Sequence, residues 1–173
     1  MMLDFEKMEF KNIFYLILLY VSFSCNNLTH IKDNEISEVI IFPQENNLVK
    51  FSTSKKKKII TYIDGTCSSC LNELERWNEF IKNDSLDHSR FLVKIFVYTN
   101  NPKFLMHVIS SNMDIPMSTI HFDKDNSFLL LNNIFPNIES PTFLLDADNH
   151  VILRGSPIEN DDIRKSYFDF IGF

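Results

Sequence analysis

Apolar residues along the chain fall into blocks, and their spacing changes from block to block. Ile13 to Phe23 (IFYLILLYVSF) is apolar throughout apart from Ser22. Its 11 residues are too few to span a bilayer as a helix, which needs about 20, but they match the hydrophobic region of a secretory signal. Glu38 to Pro43 (EVIIFP) is a short β-branched run closed by proline. Gln44 to Asn47 reads as a turn, and Leu48 to Phe51 is expected to pair back on the first run as a hairpin. Ile59 to Ile63 (IITYI) is a strand. From Leu71 the period becomes helical. Leu71, Leu74, Trp77, Asn78 and Ile81 share one face, with Glu73, Glu75, Arg76, Glu79 and Lys82 elsewhere.

The second half of the chain continues the alternation. Phe91 to Tyr98 (FLVKIFVY) is apolar on both faces except at Lys94, which suits a central strand covered on both sides. Asn101-Pro102 opens a helix to about Asn112, with the proline at a first helical position. Ser118 to Phe122 is a further strand and Asn126 to Ile134 a short helix. Thr142 to Leu145 is a strand, Asp146 to Asn149 a turn, and His150 to Arg154 the returning arm of a hairpin. Ile158 to Phe170 closes the chain as a helix. Strands that alternate with helices predict an α/β fold, and the final hairpin makes the sheet mixed.

Composition narrows the function classes. The 173 residues suit one domain with an extra segment at one end. A net charge of −6 argues against general nucleic-acid binding, which needs a basic footprint. Only 3 glycines leave no room for a glycine-rich phosphate loop, and 17 phenylalanines predict an aromatic-rich core. The run Lys55 to Lys58 reads as a solubilising approach to the next strand, with binding to an anionic surface as the weaker alternative.

The amino-terminal block carries targeting information. Lys7 and Lys11 precede the apolar run, with Asp4, Glu6 and Glu9 among them; a start at Met8 gives a cleaner signal. Ser24-Cys25, followed by Asn26-Asn27, resembles the end of a bacterial lipoprotein signal. That resemblance implies removal of residues 1–24, lipid attachment at Cys25 and a tether over 25–50. The protein is then a membrane-anchored lipoprotein of the cell envelope, facing the periplasm, with plain secretion as the alternative. No second segment is long and apolar enough to span a membrane. The 3 cysteines then divide into one plus two.

The remaining two form Cys67-Ser68-Ser69-Cys70, directly after a strand and at the start of an amphipathic helix. A helix N-terminus favours a thiolate, so Cys67 is placed to be an attacking sulfur and Cys70, one turn inside, a resolving one. Zinc would need two more ligands, and His88, His107, His121 and His150 are scattered. No metal or other cofactor is assigned. Copper(I) on the two sulfurs, with His121 or a methionine, and an inert structural disulfide remain open alternatives.

Here the sequence resembles the thioredoxin-like fold, and within it the TlpA-like envelope thiol–disulfide oxidoreductases. The residues that carry the resemblance are Ile59–Cys70 (IITYIDGTCSSC) with the following helix, and Ser140–Gly155 (SPTFLLDADNHVILRG). The resemblance implies a three-layer α/β/α domain with a central mixed sheet over residues 51–173. It implies thiol–disulfide exchange with protein thiols and disulfides, Cys67 as nucleophile and Cys70 as resolving residue. It also implies a cis proline at Pro141, with Thr66, Ser140 and Pro141 against the substrate. Several positions differ from the family pattern. Gly65-Thr66 replaces an aromatic-acidic pair, with Thr66 where a tryptophan is usual before the first cysteine, Ser68-Ser69 replaces the usual Gly-Pro or similar, and Thr61 stands where many thioredoxins carry a buried acid. Asp64 is nearer, at the strand end. It also occupies the position where a peroxidase would want threonine. A redox-inactive lipoprotein serving as a protein- or copper-binding module is the competing reading.

Overall fold

The computed structural model describes residues 38–67, 69–82, 89–134 and 141–171. The signal at 1–24, Cys25 and the tether to residue 37 lie outside them. Among the described residues no helix is long and apolar enough to cross a membrane.

Five strands form one sheet in the order β3-β2-β1-β4-β5. They are β1 (Lys57–Asp64), β2 (Phe91–Tyr98), β3 (Ile120–Phe122), β4 (Thr142–Leu145) and β5 (Val151–Arg154). β1 and β2 run parallel over their whole length, as do β2 and β3 from Ile95 to Val97. β4 is antiparallel to β1 and to β5. The mixed sheet expected from the element order is therefore present. Its centre is β1, with β2 one place further out.

Helices cover both faces. On one face α2 (Ser69–Lys82), α3 (Pro102–Asn112) and α5 (Asp161–Ile171) bury Leu74, Trp77, Leu105, Ile109 and Tyr167 against Ile59, Ile63, Ile95 and Leu144. On the other, α1 (Asn46–Ser52) and α4 (Ser127–Leu131) bury Leu48, Phe51 and Phe128 against Ile60, Phe96 and Phe143. Phe128 stacks on Phe96 at 4.2 Å between centroids, as the phenylalanine count foretold. Alternate residues of each strand feed the two cores, as a strand's two-residue period requires.

The expected hairpin at Leu48–Phe51 is not formed; those residues lie in α1. Leu48 and Phe51 are three apart and buried together, while Val49 between them is exposed. That is helical spacing, which a four-residue apolar run does not distinguish from a strand. Thr53 Oγ1 donates to the Val49 carbonyl, and both Leu48 N and Val49 N donate to the Glu45 carbonyl. The Glu38–Pro43 run makes only an isolated antiparallel bridge, Val39 with His150. Ile40 and Phe42 nonetheless enter the second core, although they precede Phe51 in the segment read as an extension.

The lysine run has a second role beyond solubility. Lys58 lies inside β1 and is fully buried. Its Nζ donates to the carbonyls of Asp146 (3.4 Å) and Ala147 (2.9 Å), and burial holds its pKa below the ordinary lysine value. It pins the β4–β5 turn, while Lys55 pairs with Asp148 from outside.

Asp146 organises the same turn. Its carboxylate accepts from the backbone N–H of Asp148 (2.8 Å) and of His150 (2.9 Å), and His150 Nδ1 stands 3.2 Å away. Burial pushes this carboxyl up, but the two backbone donors and the histidine outweigh it and hold its pKa below the ordinary aspartate value. A depressed folded-state pKa contributes stability that is complete above the unfolded value and lost as pH falls through the folded one. Asp146→Asn is therefore expected to lose stability at neutral pH, and the gap to wild type should close below about pH 4. Urea midpoints measured from pH 7 to pH 2.5 check this; a gap constant with pH would contradict it.

Candidate active site

The site grows out of the carboxyl end of β1. Asp64, the last residue of the strand, is exposed, as expected. Its Oδ1 accepts from Thr66 N (3.0 Å) and Thr66 Oγ1 (2.7 Å), which folds the chain into a tight turn before Cys67. This is an Asx turn, the arrangement that Asp favours because its side chain reaches a backbone N–H two residues on. α2 begins at Ser69, two residues after Cys67.

Gly65 makes the turn possible. Its N–H donates to the Tyr98 carbonyl at 2.7 Å, tying the loop to the end of β2. A Cβ at this position would stand 2.8 Å from that same carbonyl oxygen and 2.8 Å from Val97 Cγ1. The carbonyl belongs to the sheet and cannot give way. Gly65→Ala is expected to cost about 1–3 kcal/mol, the range of an overpacked site. Because the displaced turn carries Cys67, it should also slow thiol exchange; urea unfolding and an exchange assay on the same preparation measure both. In the sequence Gly65 stands out only as a departure from the family pattern. Its constraint comes from β2 and is visible only in three dimensions.

Cys67 is exposed and disulfide-bonded. Its Sγ lies 3.0 Å from Ser69 Oγ and 3.6 Å from the Asp64 carbonyl oxygen. A disulfide sulfur has no proton, so the Ser69 hydroxyl is the donor. Ser68 and the Cys70 side chain lie outside the described residues.

Pro141 and Thr142 arrive from the other side. Antiparallel pairing sets Thr142 opposite Thr61, and Tyr62 N donates to the Pro141 carbonyl at 3.1 Å. The chain thus brings Thr66, Cys67 and Pro141 to one end of the sheet. Ser140, and with it the peptide bond preceding Pro141, lies outside the described residues.

Thr61, standing where an acid was weighed, is buried. Its Oγ1 is 2.7 Å from Thr142 Oγ1, also buried. Thr61 is on the face of β1 shared by Ile59 and Ile63, beneath α2. A hydroxyl pair keeps this spot polar and satisfied without burying a charge. Tyr62 donates to Asn126 Oδ1 at 2.6 Å, and burial, Asp64 and Asp123 all push its phenol above the ordinary tyrosine range.

Glu73 is the acid that the sequence reading passed over. It is half-buried on α2, and its carboxyl is held above the usual value by burial and by Glu159, with Arg76 pulling the other way. Its signal in the sequence is weak. It sits four residues before Trp77 and seven before Phe80, at the edge of the buried stripe.

No protein-family model matches the chain, and no curated protein matches it. Solved structures do. A thiol:disulfide interchange protein DsbE from Chlorobium tepidum superposes with a TM-score of 0.54 at 15% identity, over 72% of this chain and 85% of that one. A thiol-disulfide oxidoreductase from Bacteroides vulgatus gives 0.53 at 13% identity, over 69% and 81%. The structure of MTB dsbF in its mixed oxidized and reduced forms gives 0.52 at 12%, over 70% and 84%.

The fold is thioredoxin-like. At such identities the superposition establishes architecture and leaves the chemistry to the residues. In this thioredoxin-like chain the CxxC leads out of the central strand, and the segment from Pro141 enters the neighbouring one. Among the described residues no group of three or more His, Cys, Asp or Glu is arranged to hold a metal ion.

Proposed function

We propose that the protein exchanges thiols and disulfides with other proteins in the cell envelope, using Cys67 as nucleophile and Cys70 as resolving residue. The observation that carries this is placement. An exposed Cys67 ends the turn between the central strand and α2, within a thioredoxin-like sheet, with Pro141 at the same end. The Cys67 thiolate attacks a substrate disulfide and forms a mixed disulfide, and one substrate sulfur leaves as thiolate. The Cys70 thiolate then attacks Cys67 Sγ. The second substrate sulfur leaves, and a Cys67–Cys70 disulfide remains. Two electrons pass to the substrate, and run backward the same steps oxidise it.

The surrounding groups have separable duties. Ser69 Oγ–H is positioned to donate to the Cys67 thiolate and stabilise it. Glu73, three residues after Cys70 in the sequence of α2, is the carboxyl group we assign to take the Cys70 proton, in place of the acid that Thr61 does not supply. Thr66, Ser140 and Pro141 form the docking edge for the partner polypeptide. Lipid attachment at Cys25 would hold the domain at the membrane, facing the periplasm.

The test is a pH titration of Cys67 alkylation in reduced Cys70→Ser protein. The expected apparent pKa is well below the free-thiol value of about 8.5, and Ser69→Ala should raise it. An unshifted Cys67 would favour an inert pair and a binding role for the domain.

A further inference from the structure

Strand β2 pairs with β1 from Phe91 to Tyr98, but with β3 only from Ile95 to Val97. Its first half therefore presents an edge that no strand among the described residues covers. An open groove of about 730 Å³ runs along that edge. α1 bounds it on one side; the end of α2 and residues 114–119 bound it on the other. β1 and β2 are parallel and Cys67 follows the far end of β1, so the groove lies at the opposite end of the sheet from the CxxC. Its volume falls in the range of small-molecule sites, about 300–1,000 Å³.

The wall is apolar, with Phe51, Ile81, Phe91 and Leu92 contributing, yet it holds an ammonium. Lys94 is only 6% exposed. Its Nζ donates to the Ser118 carbonyl and stands 5.3 Å from the centre of the Phe51 ring. An ammonium has three N–H donors, and the one acceptor among the described residues leaves two to fill. No carboxylate among the described residues pairs with it. At the rim, Lys82 is already neutralised by Asp114, and exposed Lys50 adds positive charge at the mouth. Burial draws the Lys94 pKa downward. Buried charges in folded proteins are ordinarily paired, because an unpaired one forfeits its hydration. Lys58, by comparison, has two carbonyl acceptors and two nearby carboxylates.

We propose that this groove binds an amphipathic carboxylate, with the carboxyl group on Lys94 Nζ and an aliphatic body along Phe51 and Leu92. The ligand supplies a countercharge that the described residues do not, and covers the apolar wall. A neutral molecule of the same shape would leave the ammonium unpaired.

Titration calorimetry of the full chain with dodecanoate, below its micelle concentration, tests the proposal, with dodecanol as the neutral control. Dodecanoate is expected to bind one saturable site at least tenfold more tightly than dodecanol. Lys94→Met should weaken dodecanoate at least tenfold, while Lys94→Arg, which keeps the charge, should retain most of the binding. Insulin-disulfide reduction in both variants should equal wild type, which verifies that they are folded. Absence of a saturable site, equal affinity for dodecanoate and dodecanol, or equal binding by folded Lys94→Met would each overturn it. The dodecanoate-to-dodecanol comparison needs only wild-type protein, so it decides even if the methionine variant does not fold.

Discussion

Cys67→Ser protein is expected to reduce insulin disulfides no faster than dithiothreitol alone, while wild type accelerates the reaction. Serine keeps the size and the turn but removes the nucleophile; its hydroxyl does not ionise near neutral pH and does not exchange with disulfides. Cys70, inside α2 by sequence position, is not expected to substitute for it. The expected loss is therefore complete rather than partial. Cys70→Ser should behave differently. It can still attack, but it cannot resolve, so a mixed disulfide should accumulate and be visible on a non-reducing gel. Equal rates for wild type and Cys67→Ser would sink the exchange reading and leave the thioredoxin-like domain as a binding scaffold. The fold assignment would be untouched, since it rests on the sheet and its superposition.

Trp77→Ala should bring the largest loss of stability. Trp77 has no exposed surface, meets Phe80 edge to face at 5.4 Å, and belongs to the core between α2 and the sheet. Truncating a buried aromatic costs about 3–5 kcal/mol, because transfer energy is lost and a cavity remains. With a urea slope of about 2 kcal/mol per molar, the midpoint should fall by about 2 M. Trp77 also fixes how α2 lies on the sheet, and α2 carries Ser69 and Glu73. Trp77→Phe should recover most of the stability. If alanine costs under about 1 kcal/mol, α2 is not held by this contact and the description of the core is wrong.

Much of the fold was legible in the sequence, and for identifiable reasons. Phe91–Tyr98 and Thr142–Leu145 are strands with the limits expected, because each is a mostly apolar run, broken in the first only by Lys94, and bounded by polar or turn residues. Pro102–Asn112 is a helix as expected, with the proline in its first turn and Asn101 Oδ1 accepting from Phe104 N at 3.1 Å. The closing helix begins at Asp161 rather than Ile158; residues 157–159 form a turn instead. Ser118 and Thr119 belong to a short 3-10 turn, Met117–Thr119, so β3 keeps only Ile120–Phe122.

What the sequence determined by itself is the local grammar: a buried strand, a CxxC, an amphipathic helix, and a proline before the strand of a late hairpin. Those features depend on periodicity and on neighbours a few residues away. Only the tertiary structure decided the rest, because the deciding partner lies far along the chain. Leu48–Phe51 became a helix when both side chains found the second core. Lys58 turned inward for carbonyls at Asp146 and Ala147. Thr61 met Thr142 across the ladder, and Gly65 met the carbonyl of Tyr98. Lys94 was legible as a polar break in an apolar strand. That it stands in a groove where no described carboxylate pairs with it depends on where β3 stops pairing, which no spacing along the chain reports.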